Sequence, residues 1–433
     1  MTATPSGVIV GSVVDMAGVS RAKMMPAERL DAFVSAGAGA STSWMVFCVD
    51  DHIAFTDALS AVGDLRLRID PADLRDLGDG TRWAPADLTC QDGTPWPGCP
   101  RAALRSAVDA LADIGVEVRV GHELEFTLFD AAGPTPGWSA YGLGSALRRR
   151  KFVTDLLAAA GRAGLTVEQV HAEYGTDQFE ISLAPADPVT AADNAVLART
   201  LIGGAARAHA TTASFSPLPV AGGAGNGAHQ HLSLLRGERP LLSDGDGPHG
   251  LTPEGGHAVA GLLAALPDAT LLLAGSALSH LRLSPDNWAG AYCCWGLENR
   301  EAAIRLCADT PGNPYGANVE VKPIDPSANP YLVTAVLLRA VHAGIDGRLP
   351  LAAEVTVNPS RLTAAERESA GVFRMPTEPA DLLRRFADSP LIRTAFTPLL
   401  REAVDAVRGY ELAEYTHRPV EEVADLLRFA WTI

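Results

Sequence analysis

An α+β fold in two unequal parts is what this 433-residue sequence predicts, and three observations predict it. Strand-like and helix-like segments follow one another without strict β-α-β alternation. The pattern changes character after residues 85–100, a stretch rich in Pro, Gly and Asp that contains Pro95-Trp96-Pro97 and reads as a linker. Hydrophobic residues at 47% against 20% charged allow a core large enough to offset the conformational entropy of the chain. The expected division is residues 1–97 and residues 98–433.

In the first part, Val8–Val14 is an apolar strand candidate and Asp15-Met-Ala-Gly18 a turn, and residues 20–25 begin a partner strand. Residues 26–36 have helical spacing, and residues 43–49 and 65–69 read as further strands. In the second part, residues 101–114 are helical and residues 117–129 an alternating strand. Residues 147–164 form a helix, residues 166–172 are extended, and Gln178–Leu183 is a strand. A long helix covers residues 188–209. Residues 228–235 alternate as a strand, residues 254–266 are helical, residues 318–323 form a short strand, and Pro330–Asp346 is a helix. From Ala364 to the end the chain is mostly helical.

Several function classes are disfavoured by composition. The net charge is −16, from 51 acidic against 35 basic residues, which argues against a nucleic-acid binder that must neutralise phosphates. The apolar run at residues 262–274 holds Pro267 and Asp268 and is shorter than the roughly 20 residues of a membrane span. The N-terminal Met1-Thr-Ala-Thr-Pro-Ser-Gly7 has no basic segment followed by an apolar one, so no signal peptide is read there. Six scattered cysteines without a C-x-x-C pair read as reduced thiols, and the expected location is the cytoplasm.

The informative residues are acids and histidines. Glu123 and Glu125 stand two apart in a strand and share one face. Two carboxylates on one face of an apolar strand repel and resist burial, a conflict that cations resolve; taken alone, such a pair is more often a solvated edge. Glu173 and Glu180 flank Tyr-Gly-Thr-Asp-Gln-Phe, where Gly175 marks a bend that lets them converge. His229 and His231 share a strand face after Gly222-Gly-Ala-Gly-Asn-Gly227, whose glycines permit close backbone approach to a ligand. Glu320 lies between Val319 and Val321 in a short apolar strand, where a buried acid needs a partner. Arg300 and Arg305 present planar guanidiniums suited to phosphate or carboxylate.

Together and in order these segments resemble the signatures of the glutamine synthetase family. They are Gly121-His-Glu-Leu-Glu-Phe126, Glu173 with Gln178-Phe-Glu180, Gly227-Ala-His-Gln-His-Leu-Ser233, Asn299-Arg-Glu-Ala-Ala-Ile-Arg305, Val319-Glu320-Val321, Asp325 and Asn329-Pro-Tyr-Leu332. The resemblance covers most of the chain from Gly11 to about Asp346. It implies a β-grasp-like N-terminal domain and a catalytic domain whose curved sheet lines a funnel. The funnel holds ATP and two to three Mg²⁺ or Mn²⁺ ions. By position, Glu125, Glu173 and Glu180 would ligate one ion, and Glu123, His229 and Glu320 another. Glu168, His231 and Ser233 match nucleotide-binding positions, and Arg300 and Arg305 match residues that handle phosphates. Arg282 matches the arginine that grips the acid's α-carboxylate. Gly227 and Lys322 fall at acid-binding positions. A homo-dodecamer of two stacked hexameric rings is implied, with sites between subunits.

Departures from the pattern bear on the substrate. The resemblance expects an aspartate near Ser41, in Gly37-Ala-Gly-Ala-Ser41-Thr-Ser43, and a glutamate near Trp288, in Pro285-Asp-Asn-Trp288-Ala-Gly290. Both serve ammonium, and both anions are missing. Lys322 replaces an arginine and loses its bidentate fork. Asn318 replaces another arginine, and Phe215-Ser-Pro-Leu-Pro219 lacks the usual lysine. The pattern is similar to the γ-glutamylamine ligases of actinobacterial type. The expectation is therefore an ATP-dependent carboxylate–amine ligase acting on glutamate and an organic amine through an acyl phosphate. The alternatives are a ligase for another acid, an ammonia-using glutamine synthetase and a non-catalytic relative.

Overall fold

The computed structural model describes residues 7–313 and 315–433, so the expectation for the segment before Gly7 lies outside the described residues. The protein is α+β with two sheets. The smaller is built from β1 (Val8–Val14), β2 (Ser20–Pro26), β3 (Ala38–Ser41), β4 (Asp64–Ile69), β5 (Arg75–Gly78) and β6 (Thr81–Thr89), in the order β2-β1-β6-β4-β3 with β5 also on β6. β1 runs parallel to β6, and the other pairs are antiparallel. Helix Leu30–Ser35 buries Phe33 against this β-grasp-like sheet. A Cβ at Gly11 would come within 2.7 Å of the Phe33 ring, so glycine lets the helix approach.

Two expectations fail in this region. Residues 43–49 do not form a strand. Ser41 accepts a hydrogen bond from the Ser43 amide and caps a 3₁₀ helix, Thr42–Val46, that buries Met45 and Val46. A local side-chain cap overrides the apolar, β-favouring composition. Residues 85–100 are only partly a linker, because β6 continues through Pro85 to Thr89 and pairs with β4. Pro85 pairs with Ser12 as the β1 ladder ends, where a missing N–H costs little.

The larger sheet holds β7 (Glu117–Asp130), β8 (Val167–Ala172), β9 (Gln178–Leu183), β10 (Thr211–Ser214), β11 (Gln230–Arg236), β12 (Arg239–Pro240), β13 (Tyr292–Leu297), β14 (Ala302–Cys307), β15 (Asn318–Val321) and β16 (Phe373–Arg374). Its order is β16-β13-β14-β15-β11-β7-β9-β8, with β10 on β7 and β12 on β11. Helix Pro188–Ala208 packs on β7 and β10, and helix Pro253–Leu273 on β13 and β14. The latter runs unbroken through Pro267, so residues 262–274 are not the interrupted segment expected. By length and composition this 21-residue helix could cross a membrane, but 72% of its apolar window is buried inside the protein.

One core spans both sheets, from Ile9 and Phe33 to Leu427 and Trp431. Polar ties reinforce the junction. Asn329 caps helix Pro330–Asp346 by accepting from the Tyr331 and Leu332 amides, while its own amide donates to the Val14 and Asp15 carbonyls. The Trp431 indole N–H donates to the Ala17 carbonyl at 2.8 Å. These contacts fix the smaller sheet relative to the larger one.

Candidate active site

Strand pairing assembles the site. Glu125 on β7 faces Glu180 on β9, and His171 on β8 also faces Glu180. On the other side, His231 on β11 pairs with Glu320 on β15, which pairs with Arg305 on β14. The Glu123 amide donates to the His229 carbonyl, and the Glu125 amide to the Gly227 carbonyl. Alternation then puts the functional side chains of adjacent strands on one face, while Leu124 and Phe126 turn into the core.

Three donor groups result: Glu123, His229 and Glu320; Glu125, Glu180 and His229; and His171, Glu173 and Glu180. In each, one ligand atom per residue lies within 4.8 Å of the others. The first reproduces the grouping inferred from the resemblance. In the others His229 sits with Glu125 and Glu180, while Glu173 joins His171, whose Nε2 lies 2.8 Å from Glu173 Oε1. His171 was not singled out in the sequence, although its two-residue spacing from Glu173 was the available signal.

Neighbouring groups hold the acids in place. The Gly227 amide and the Gln178 side-chain amide donate to Glu125 Oε2 at 2.9 and 3.1 Å. Ser182 Oγ donates to Glu123 Oε1 at 3.3 Å. A Cβ at Gly227 would lie 2.6 Å from both Arg282 Nη2 and His229 Nε2 and 2.9 Å from Glu125 Oε1, so a side chain there would displace one or more of these groups.

The electrostatics are those of a site built for cations. Burial opposes ionisation of Glu123, but His231 and His229 beside it hold its carboxyl well below the usual range. Burial likewise opposes ionisation of Glu320, yet Lys322, His229 and His231 lower it to about 2. Glu180 is pushed well above the usual range by burial and then by Glu123, Glu125, Glu173 and Glu320. Five carboxylates with one central imidazole make an oxygen-rich donor set that fits a hard divalent cation.

The remaining candidates fall around this cluster. Arg282 is buried, with Nη2 3.2 Å from His229 Nε2 and Nη1 without a hydrogen-bond partner among the described residues. Lys322 Nζ donates to Glu320 Oε1, and Arg305 binds both Glu298 and Glu320. Arg300 is exposed on the turn before β14. His231 Nδ1 lies 2.8 Å from Asn318 Oδ1, and Ser233 Oγ donates to the Ala317 carbonyl. Glu168 is exposed on β8 and accepts from the Tyr315 hydroxyl at 2.6 Å. Trp288 is half exposed on the loop at residues 285–290, where Gly290 packs on Lys322. Ser41 is the outlier: its contacts lie within the smaller sheet, to Ser43 and across to Asp64.

The glutamine synthetase catalytic-domain profile matches residues 97–424. The chain belongs to the glutamine synthetase family, ligases that form carbon–nitrogen bonds using ATP and divalent metal ions. It is 40% identical over 411 residues to the gamma-glutamylpolyamine synthetase GlnA3 of Streptomyces coelicolor, covering 92% of this chain and 88% of that one. A glutamine synthetase of Methanosarcina mazei is 30% identical over 397 residues, covering 88% and 85%. Among solved structures, a glutamine synthase homologue matches over the whole of both chains with a TM-score of 0.88 and 32% identity. GmaS in complex with ADP shares the fold at a TM-score of 0.83 and 24% identity, covering 96% and 95%.

Proposed function

We propose that this protein joins the γ-carboxylate of glutamate to an organic amine, with ATP as phosphoryl donor and an acyl phosphate as intermediate. The observation that carries the reading is a contrast between the donor cluster and two positions of the family pattern. The donor cluster is intact from Glu123 to Glu320, while Ser41 and Trp288 occupy the positions where the family pattern places anions for ammonium. The likeness to a gamma-glutamylpolyamine synthetase supports the same class of amine.

The roles follow from chemistry and position. Bound Mg²⁺ or Mn²⁺ ions, two to three per site, supply charge neutralisation for phosphoryl transfer. Glu123, His229 and Glu320, and Glu125, Glu173 and Glu180, hold them, with His171 beside Glu173. Arg282, whose Nη2 lies beside Gly227 and whose Nη1 has no hydrogen-bond partner among the described residues, binds the acid's α-carboxylate. Arg300 and Arg305 stabilise charge on the transferred phosphoryl group. Glu168, His231 and Ser233 receive the nucleotide. Lys322 is engaged with Glu320, which favours as second reading an acid other than glutamate. A dodecamer of two hexameric rings would bring Ser41 to a neighbouring subunit's site. We place the domain boundary at residues 97 and 98 and the enzyme in the cytoplasm.

The test is phosphate release from ATP and Mg²⁺ with glutamate, scanned across ammonium, ethanolamine, putrescine, alkyl amines and an aromatic amine. Release with an organic amine, and little with ammonium, is expected. Dominant ammonium activity makes the protein an ordinary glutamine synthetase, and silence throughout points to another acid.

A further inference from the structure

Glu301 was given no role by its sequence, yet its position is unusual. It precedes β14 by one residue. Continuing the strand's alternation puts Glu301, Ala303 and Arg305 on one face. Arg305 pairs with Glu320, and the Lys322 amide donates to the Ala303 carbonyl, so that face is the one carrying the catalytic cluster. Glu301 thus extends the row from Glu320 past Lys322.

The row ends under the loop at residues 285–290. The Trp288 amide donates to Glu301 Oε1 at 3.1 Å. Trp288 and Asp286 both adopt left-handed backbone conformations, with φ of 54° and 63°. Asp286 is fixed on the far side by Asn358 and Ser360, each at 2.8 Å. The loop is therefore held in place over Glu301, while the Trp288 side chain stays 50% exposed.

Glu301 itself is 5% exposed, and its second oxygen, Oε2, is buried without a hydrogen-bond partner among the described residues. A buried carboxylate oxygen left unpaired is costly and calls for a ligand. The neighbouring cations are committed elsewhere: Lys322 to Glu320, and Arg305 to Glu298 and Glu320. Burial, then the charge of Asp286, raises the Glu301 carboxyl above its usual range, so an arriving cation would be favoured there.

We propose that Glu301 selects the amine by charge, its carboxylate receiving the non-reacting ammonium group of a diamine or polyamine. The reacting nitrogen must be uncharged to attack an acyl phosphate, and a carboxylate holding it would favour its protonated form. The group at Glu301 is therefore the second nitrogen, held at the end of the row away from Glu320. The Trp288 side chain, on the loop whose amide donates to Glu301, is half exposed. This rests on the organic-amine reading above and names the chemical class within it.

Glu301→Gln tests the charge alone, because the glutamine carbonyl still accepts from the Trp288 amide. The measurement is kcat/KM for putrescine and for butylamine, in the wild-type enzyme and the variant, with KM for glutamate and ATP alongside. The putrescine-to-butylamine ratio should fall at least about tenfold, mostly through KM for putrescine. Glu301→Asp should recover part of it. An equal fall for both amines would show that Glu301 only latches the loop and would overturn the proposal, as would an unchanged ratio. A wild-type enzyme that uses no organic amine would instead defeat the functional reading itself, and the proposal with it.

Discussion

Lys322 Nζ lies 2.9 Å from Glu320 Oε1, and both side chains are almost fully buried. The pair explains how Glu320 stays ionised in the interior: Lys322 is the largest influence opposing its burial. It also separates two effects of mutation. Glu320→Gln preserves a hydrogen-bond acceptor for Lys322 but removes the charge a metal ion needs. Phosphate release should fall about 100-fold or more, with the circular dichroism spectrum unchanged. Glu320→Ala should lose activity equally and also melt earlier, since it strands a buried ammonium. Turnover near the parent level in either variant would remove Glu320 from the metal site.

A side chain at Gly227 is predicted to disturb the acid-binding side of the site. Its position between Arg282, His229 and Glu125 admits a methyl group only if these side chains shift, although its backbone conformation is ordinary. In Gly227→Ala the displaced Arg282 should raise KM for the acid at least about tenfold while KM for ATP changes far less. Arg282→Ala should show the same split. Equal rises in both constants would mean that Arg282 does not bind the acid.

His122 supplies a pH dependence unrelated to catalysis. It points into the core from β7, and burial, then the charge of nearby His231, lowers its pKa from 6.5 to about 4. Because the folded value lies below the unfolded one, the unfolded chain binds the extra proton between them. Stability from this group is complete above about pH 6.5 and is lost as pH falls toward 4, by about 2–3 kcal/mol. Denaturant unfolding at pH 7 and pH 4.5 should show this loss in the wild type, and His122→Leu should remove that component. An unaltered acid limb in the variant contradicts it.

Ser41→Asp restores an anion where the family pattern places one. Ammonium use relative to an organic amine should rise several-fold, read as the ratio of kcat/KM values. A ratio that stays level or moves toward the organic amine would show that Ser41 does not face the amine pocket.

Much of the site was legible in the sequence because its residues sit on strands with two-residue periodicity. Glu123 with Glu125 and His229 with His231 are such pairs, and the strands that bear them have clear apolar alternation. β13 and β14 were missed for the opposite reason. Tyr292–Leu297 is almost wholly buried and does not alternate, and Glu298-Asn-Arg300 reads as a turn. Without those strands the face shared by Glu301 and Arg305 could not be seen. The resemblance grouped Glu173 with Glu125 and Glu180 but left out His171, because linear order says nothing of the cross-strand register that sets His171 opposite Glu180. The 3₁₀ turn at Thr42–Val46 was hidden by apolar residues that also suit a strand.

The most direct test of the central claim follows oxygen. Glutamate labelled with ¹⁸O in its γ-carboxylate is incubated with ATP, Mg²⁺ and equal concentrations of ammonium and the preferred organic amine, and the products are weighed by mass spectrometry. In the proposed mechanism the γ-carboxylate attacks the terminal phosphorus, the amine nitrogen displaces phosphate from the acyl carbon, and the bridging oxygen leaves with the phosphate. The account predicts one ¹⁸O in each released phosphate and a γ-glutamyl derivative of the organic amine as the main product. Unlabelled phosphate, or glutamine as the main product, would contradict it.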